Sequence, residues 1–228
     1  MGDTVRVLST LALKGAVINL SRDFEVATGM QIAADFAPTL ALLQRLRAGE
    51  PADVVILTRE GLDEVSREGR VAADSCVDLA RSWVGIAVRA GEVHPDISTE
   101  AALRAALLNA RSVAYSRLGA SGILFAKLIG QLGIAAEINA RAVIIQQGFT
   151  AERLVTGEAD LAVQQVSELK QIDGIEVAGV IPRELQTPAV FSAGRMVTAQ
   201  DAAQADRLLQ YLSSAEVAPL LRESGLDP

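Results

Sequence analysis

The sequence predicts an α/β fold of two lobes, each a mostly parallel sheet flanked by helices, with a cleft between the lobes. Three observations carry this. Short apolar strands alternate with helical segments through residues 5–69, the alternation breaks over residues 77–88, and it restarts from Thr99 before a second extended segment at residues 188–192. Strands alternating with helices at this spacing build βαβ units and parallel sheets. Two crossovers then divide the chain into lobe I, residues 1–81 plus 191–228, and lobe II, residues 82–190.

Taken in order, Val5, Val7 and Leu8 form the first strand, Ser9 and Thr10 interrupt it, and Leu11, Leu13, Val17, Ile18 and Leu20 continue at helical spacing towards Gly29. Residues 31–36 read as a second strand, and Leu40, Leu43 and Leu46 as a helix stopped by Gly49. The third strand is Val54-Val55-Ile56-Leu57, followed by a polar helix over residues 61–68 closed by Gly69. The run VDLARSWVGIAV, residues 77–88, lacks the helix that a continuing alternation requires and reads as an extended crossover. In the second lobe come a helix over 99–109, a strand over 112–115, a turn at 119–122 with a helix ending near Gly130, a strand over 142–145, a helix over 150–156 and a strand over 160–163. Residues 188–192 return the chain, and helices over 199–212 and 217–224 pack on the first lobe.

Several helix starts lack the acid that normally complements a helix N-terminus. Ser9-Thr10 leads into Leu11-Ala12-Leu13-Lys14, Pro38-Thr39 into Leu40-Ala41-Leu42, and Ala120-Ser121-Gly122 into Ile123-Leu124; Gly148-Phe149-Thr150 leads into a turn with one acid, Glu152. Elsewhere the chain caps in the ordinary way, as at Ser98-Thr99-Glu100. Hydroxyls such as Ser9 or Thr10 are expected to cap the helices, while the remaining orphan N–H groups and the positive helix ends face a small anion. In a parallel sheet ligands lie beyond the carboxyl ends of the strands. Ser9, Thr10, Thr39 and Thr58 fall there in lobe I, and Gln164 and Gln165 in lobe II.

Composition removes other classes. Aromatics are 4% of the residues and the formal net charge is -7, without a Lys/Arg cluster, so nucleic acid is not an expected partner. One cysteine, Cys76, and one histidine, His94, exclude an intrachain disulfide and a Cys/His metal centre. No metal and no cofactor are expected, and His94, in a polar turn, reads as a surface residue. No apolar run reaches membrane-spanning length, and Arg6, Lys14 and Asn19 interrupt the N-terminal one. The expectation is a monomer without direct membrane insertion, periplasmic if a signal peptide has been removed and cytoplasmic if Met1 is the true start.

The stretches VLSTLALKGA, RAGEPADVVIL, VDLARS, AYSRLGASG, AVQQVSEL and VFSAG resemble type II periplasmic solute-binding proteins over nearly the whole chain, in particular the molybdate-binding-protein family of ABC-transporter components. The resemblance implies an oxyanion held by hydroxyls and backbone N–H groups at Ser9, Thr10, Thr39 and Ser121, with Gln147 and Gly148 supplying the next turn, and a membrane permease as partner. Where molybdate binders of that family close the site with a tyrosine, this chain has Gln164 and Gln165. Lys14 and Arg117 add positive charge, and if they reach the cleft a small carboxylate becomes the better ligand. The VDLARS, AYS and QQVSE stretches also resemble a branch that includes aconitate isomerase, which implies a base for an allylic proton shift. Lys14, Tyr115 and Glu152 are the candidates.

Overall fold

The computed structural model describes residues 4–146 and 148–228, so the Gln147 expectation lies outside the described residues. The chain forms two compact units, residues 1–82 with 189–228 and residues 83–188.

The first unit opens with β1 (Thr4–Ser9), a 3-10 turn (Leu11–Leu13), α1 (Lys14–Thr28), β2 (Gln31–Phe36), α2 (Thr39–Arg47), β3 (Val54–Thr58), α3 (Arg59–Arg67) and β4 (Val77–Ser82). The second contains β5 (Val84–Arg89), α4 (Glu100–Asn109), β6 (Val113–Ser116), α5 (Ala120–Gln131), α6 (Ala135–Asn139), β7 (Ala142–Ile145), α7 (Glu152–Val155), β8 (Leu161–Gln165), α8 (Val166–Leu169) and β9 (Ile175–Val180). The chain then returns through β10 (Ala189–Arg195), α9 (Ala202–Leu212) and α10 (Ala218–Glu223) to complete the first unit.

The two sheets share one plan. Their strand orders are β2-β1-β3-β10-β4 and β7-β6-β8-β5-β9. In each, the first three strands are parallel, the fourth is antiparallel to both neighbours, and the fifth therefore runs with the first three. The predicted extended crossover is thus two strands, β4 in one sheet and β5 in the other, divided at Trp83.

Side-chain alternation puts a helical layer on both faces of each sheet, as a mostly parallel sheet requires. In β3, Val54 and Ile56 pack with Leu13, Val17, Leu20 and Phe24 of the first helical segment and with α9, whereas Val55 and Leu57 pack with Leu42, Leu46 and Leu62 of α2 and α3. In the second unit, Val113 and Tyr115 of β6 face Leu103, Phe125 and Ile129, while Ala87, Ala114 and Ala162 face the opposite side under Leu154 and Leu169. Those alanines are short, so α7 and α8 lie close to the sheet. This places the segment after β8 tightly against the second unit's core.

One charged group anchors the amino end of the first sheet. Asp53 is 3% exposed and accepts hydrogen bonds from Arg6 Nε (3.0 Å), Arg6 Nη2 (2.9 Å), the Arg6 backbone N–H (2.9 Å) and the Gln200 N–H (2.8 Å). Burial pushes its carboxyl up, but these donors together outweigh burial and hold it below its ordinary value. His94 is exposed, as its turn predicts, and its Nε2 lies 2.8 Å from Glu176. Among the described residues no helix is long and apolar enough to cross a membrane.

Candidate functional site

At the carboxyl end of β1, Ser9 and Thr10 are buried at 0% and 3% exposure. Neither caps the helix, contrary to the sequence expectation. The chain enters through a 3-10 turn in which the Leu13 N–H bonds back to the Thr10 carbonyl (3.3 Å), and Ser9 Oγ donates to that same carbonyl (3.2 Å). Both groups of the turn are thereby served by main chain. Among the described residues the Thr10 Oγ1 is left buried without a hydrogen-bond partner. Leaving a buried hydroxyl unpaired costs about 1–3 kcal/mol, so such a group calls for a ligand.

The neighbouring strand ends are tied together. Thr39 is the first residue of α2 rather than its cap, and its Oγ1 accepts a long bond from the Thr58 N–H at 3.4 Å. Thr58 caps α3 by accepting from the Gly61 N–H (3.3 Å). Both hydroxyls keep a proton to donate. Lys14 is half-buried, with Nζ 6.0 Å from the centre of the Phe36 ring, which ends β2. The first turns of α1 and α2 carry no acid, as predicted.

In the second unit the strand β6 ends at Ser116, whose Oγ accepts from the Leu118 and Gly119 N–H groups (3.2 and 3.3 Å) and curls the loop. The loop then meets α5 very closely. A Cβ at Gly122 would sit 1.5 Å from the Ser116 carbonyl oxygen, so only glycine fits. This contact holds Ser121 in the acid-free first turn of α5, 3% exposed, with its hydroxyl making no hydrogen bond among the described residues. Arg117, in the same loop, is exposed.

After β7, Gly148 takes a φ of 89°, a left-handed conformation that suits glycine. Gln164, at the end of β8, organises this loop. Its Oε1 accepts from the Thr150 N–H (2.8 Å) and the Thr150 hydroxyl (3.0 Å), and its Nε2 donates to the Gly148 carbonyl (3.1 Å). Gln164 is 3% exposed, and its amide is occupied by protein at both ends, so it shapes the loop more than it offers donors. Gln165, equally buried, is the N-cap residue of α8.

The structure separates the three candidate bases. Tyr115 is 1% exposed, donates its phenol proton to Asn139 Oδ1 and packs edge-on against Phe125 at 5.1 Å between ring centres, which makes it a core residue. Glu152 is exposed at the first residue of α7. Lys14 keeps its place at the strand ends of the first unit. Burial pushes the Cys76 thiol up, which disfavours the nucleophilic thiolate.

A carboxyl that the sequence reading passed over stands beside Gln164 and Gln165. Glu168 occupies the third position of α8 and accepts from the backbone N–H of Gln165, as the acid of a capping box does, and from the Gln164 side chain. Part of the residue reaches the surface, yet its carboxyl is buried, and this burial pushes it up to about 8 against the pull of those two donors. Two sequence signals led here, the QQVSE stretch, which ends on this acid, and the spacing of an acid three residues after Gln165. Glutamine is not a usual cap, so the spacing did not stand out.

Similarity to known proteins agrees with this architecture. Aconitate isomerase from a Pseudomonas species is 36% identical over 231 residues, covering 99% of this chain and 88% of that protein. The periplasmic molybdate-binding protein of Azotobacter vinelandii superposes with a TM-score of 0.83 at 16% identity, covering 98% of this chain and 99% of that one. The sulfate-binding protein SubI of Mycobacterium tuberculosis H37Rv superposes with a TM-score of 0.76 at 15% identity, covering 99% and 87% of the two chains. At such identities the structural matches speak for the fold, a two-lobed periplasmic-binding-protein architecture. The profile of one family spans residues 5–227, and on that match the chain belongs to the bacterial extracellular solute-binding proteins.

Proposed function

We propose that this chain binds a small polycarboxylate at strand carboxyl ends and interconverts cis- and trans-aconitate. The observation that carries the binding half is the Thr10 hydroxyl, buried and, among the described residues, unpartnered, beside a helix start with no acid. Ser121 supports it with a second buried hydroxyl at an acid-free turn. Thr39 and Thr58 have hydroxyl protons to give, Ser9 ends β1 beside Thr10 in the first unit, and in the second unit Gly148 follows β7 and Gln165 ends β8.

Two things favour a polycarboxylate. Lys14 and Arg117 add positive charge to these loops, where ammonium and guanidinium groups pair directly with carboxylates. The kinship to aconitate isomerase also runs along almost the entire chain. The chemistry asked of the site is modest. A base removes a proton from the methylene carbon, the electron pair spreads into the adjoining double bond and carboxylate, and the proton is returned at the former vinyl carbon. Hydroxyl and amide donors at the helix starts would stabilise the charge that develops on the carboxylate oxygens.

The second reading is a non-catalytic oxyanion receptor that delivers its ligand to a membrane permease, with the compartment following from that role. It is favoured by the hydroxyl-rich strand ends and by the family match. A thermal-shift panel of molybdate, tungstate, sulfate, phosphate, citrate and both aconitates separates the two. A ligand at about 100 times its Kd adds about 2.7 kcal/mol, a rise of several degrees for a chain of this size. The isomerase reading expects stabilisation by the tricarboxylates, reduced in Ser121→Ala, whereas stabilisation by molybdate and tungstate alone would favour the receptor.

A further inference from the structure

We propose, resting on the isomerase reading, that Glu168 is the catalytic residue that carries the proton between the two carbons of aconitate. The geometry that supports this is a cluster at the carboxyl ends of β7 and β8. Gln164 joins the Gly148 carbonyl, the Thr150 N–H and hydroxyl, and the Glu168 carboxyl in one hydrogen-bonded group. The Gln165 N–H holds the same carboxyl from the main chain. These contacts fix the carboxyl in place, and part of the residue remains accessible.

The fold brings α8 in close so that this acid is dry. Gly85 of β5 leaves room for it, since a Cβ there would meet Val166 Cγ2 at 2.9 Å and the Gly179 carbonyl at 2.8 Å. Ala87 and Ala162 are the short residues on the covered face. Burial is the leading influence on Glu168, opposed by its two hydrogen-bond donors. The charged residues on the strands packed against α8 are Arg89 of β5 and Glu176 of β9, and Lys170 follows the helix. Burial therefore leaves a carboxyl poised near neutral pH, where a group that must both take and return a proton works best.

The step balances without a co-reactant. The Glu168 carboxylate takes a proton from the methylene carbon of trans-aconitate, so a C–H bond breaks and an O–H bond forms. The electron pair forms the new double bond as the old one opens into a delocalised dienolate. The same carboxyl then gives its proton to the former vinyl carbon, which restores the free carboxylate and leaves the double bond shifted by one position.

The test compares wild type with Glu168→Gln, using trans-aconitate as substrate and citrate as the binding probe. The expected result is a fall in kcat of at least about 100-fold, with the citrate-induced thermal shift retained. Full turnover in Glu168→Gln overturns the role of Glu168 alone, whereas absence of turnover in wild type overturns the isomerase reading on which it rests. Should Glu168→Gln fail to fold, the wild-type pH profile decides. A kcat/KM that rises with pH through about 8 supports the assignment, and one flat from pH 6.5 to about 9.5 overturns it.

Discussion

Thr10 offers a test in which stability and binding move in opposite directions. Replacing it with valine removes a buried hydroxyl that has no partner among the described residues, so the ligand-free protein should gain about 1 kcal/mol, or a Tm rise of about 2–4 °C. Ligand-induced stabilisation should fall at the same time. A loss of stability without ligand would mean that the hydroxyl serves the fold instead. Asp53 behaves in the reverse manner. Asp53→Ala removes a buried carboxylate and strips the partner from the backbone N–H groups of half-buried Arg6 and exposed Gln200 and from the Arg6 guanidinium, and should cost about 2 kcal/mol in urea denaturation at neutral pH. Because its folded pKa is depressed, its stabilisation is complete above the unfolded value of about 4 and is lost as pH falls through the lower folded value. The deficit of the variant should therefore shrink below about pH 4. At this scale the sequence marked Ser9, Thr10 and Ser121 through hydroxyls beside acid-free turns. It could not tell that Gln164 spends its amide on Thr150 and Gly148, because those partners are brought together only by the pairing of β6 with both β7 and β8.

At the scale of elements, the β6–α5 loop depends on one close approach. Gly122→Ala should destabilise the protein by about 2 kcal/mol and weaken ligand stabilisation together, since a Cβ 1.5 Å from the Ser116 oxygen forces the Ser121 turn to move. Thermal melts with and without ligand would check both effects. Elements with strong periodicity were readable. The residues of β7 were read from the sequence as they stand in the fold, and α1, α4 and α9 each differ from the reading by a few residues at one end. The missed elements are short or of mixed pattern. The helix α6 has five residues, too few to repeat a 3.6-residue period, and β9 carries Glu176 and Gly179 within an incompletely buried run. The 3-10 entry to α1 was also hidden. Its three residues are as apolar as the helix that follows, and only backbone geometry distinguishes them.

At the scale of the molecule, the two units repeat one strand order, although no internal repeat is visible in the sequence. A topology is set by which strands bury which faces, and Val54 and Ile56 in one unit do with bulk what Val113 and Tyr115 do in the other with different side chains. That is why the fold was legible as alternation and crossovers while the choice of ligand was not. Ligand choice on such a fold rests with a few side chains near the strand ends, too few to leave a periodic pattern in the sequence. The most direct test of the whole account is to incubate the purified protein with trans-aconitate and follow the products by proton NMR. The expected result is interconversion of the two isomers, with the same mixture reached from cis- or trans-aconitate and none formed by Glu168→Gln. Unchanged trans-aconitate, from protein that molybdate or tungstate stabilises and the tricarboxylates do not, would contradict it.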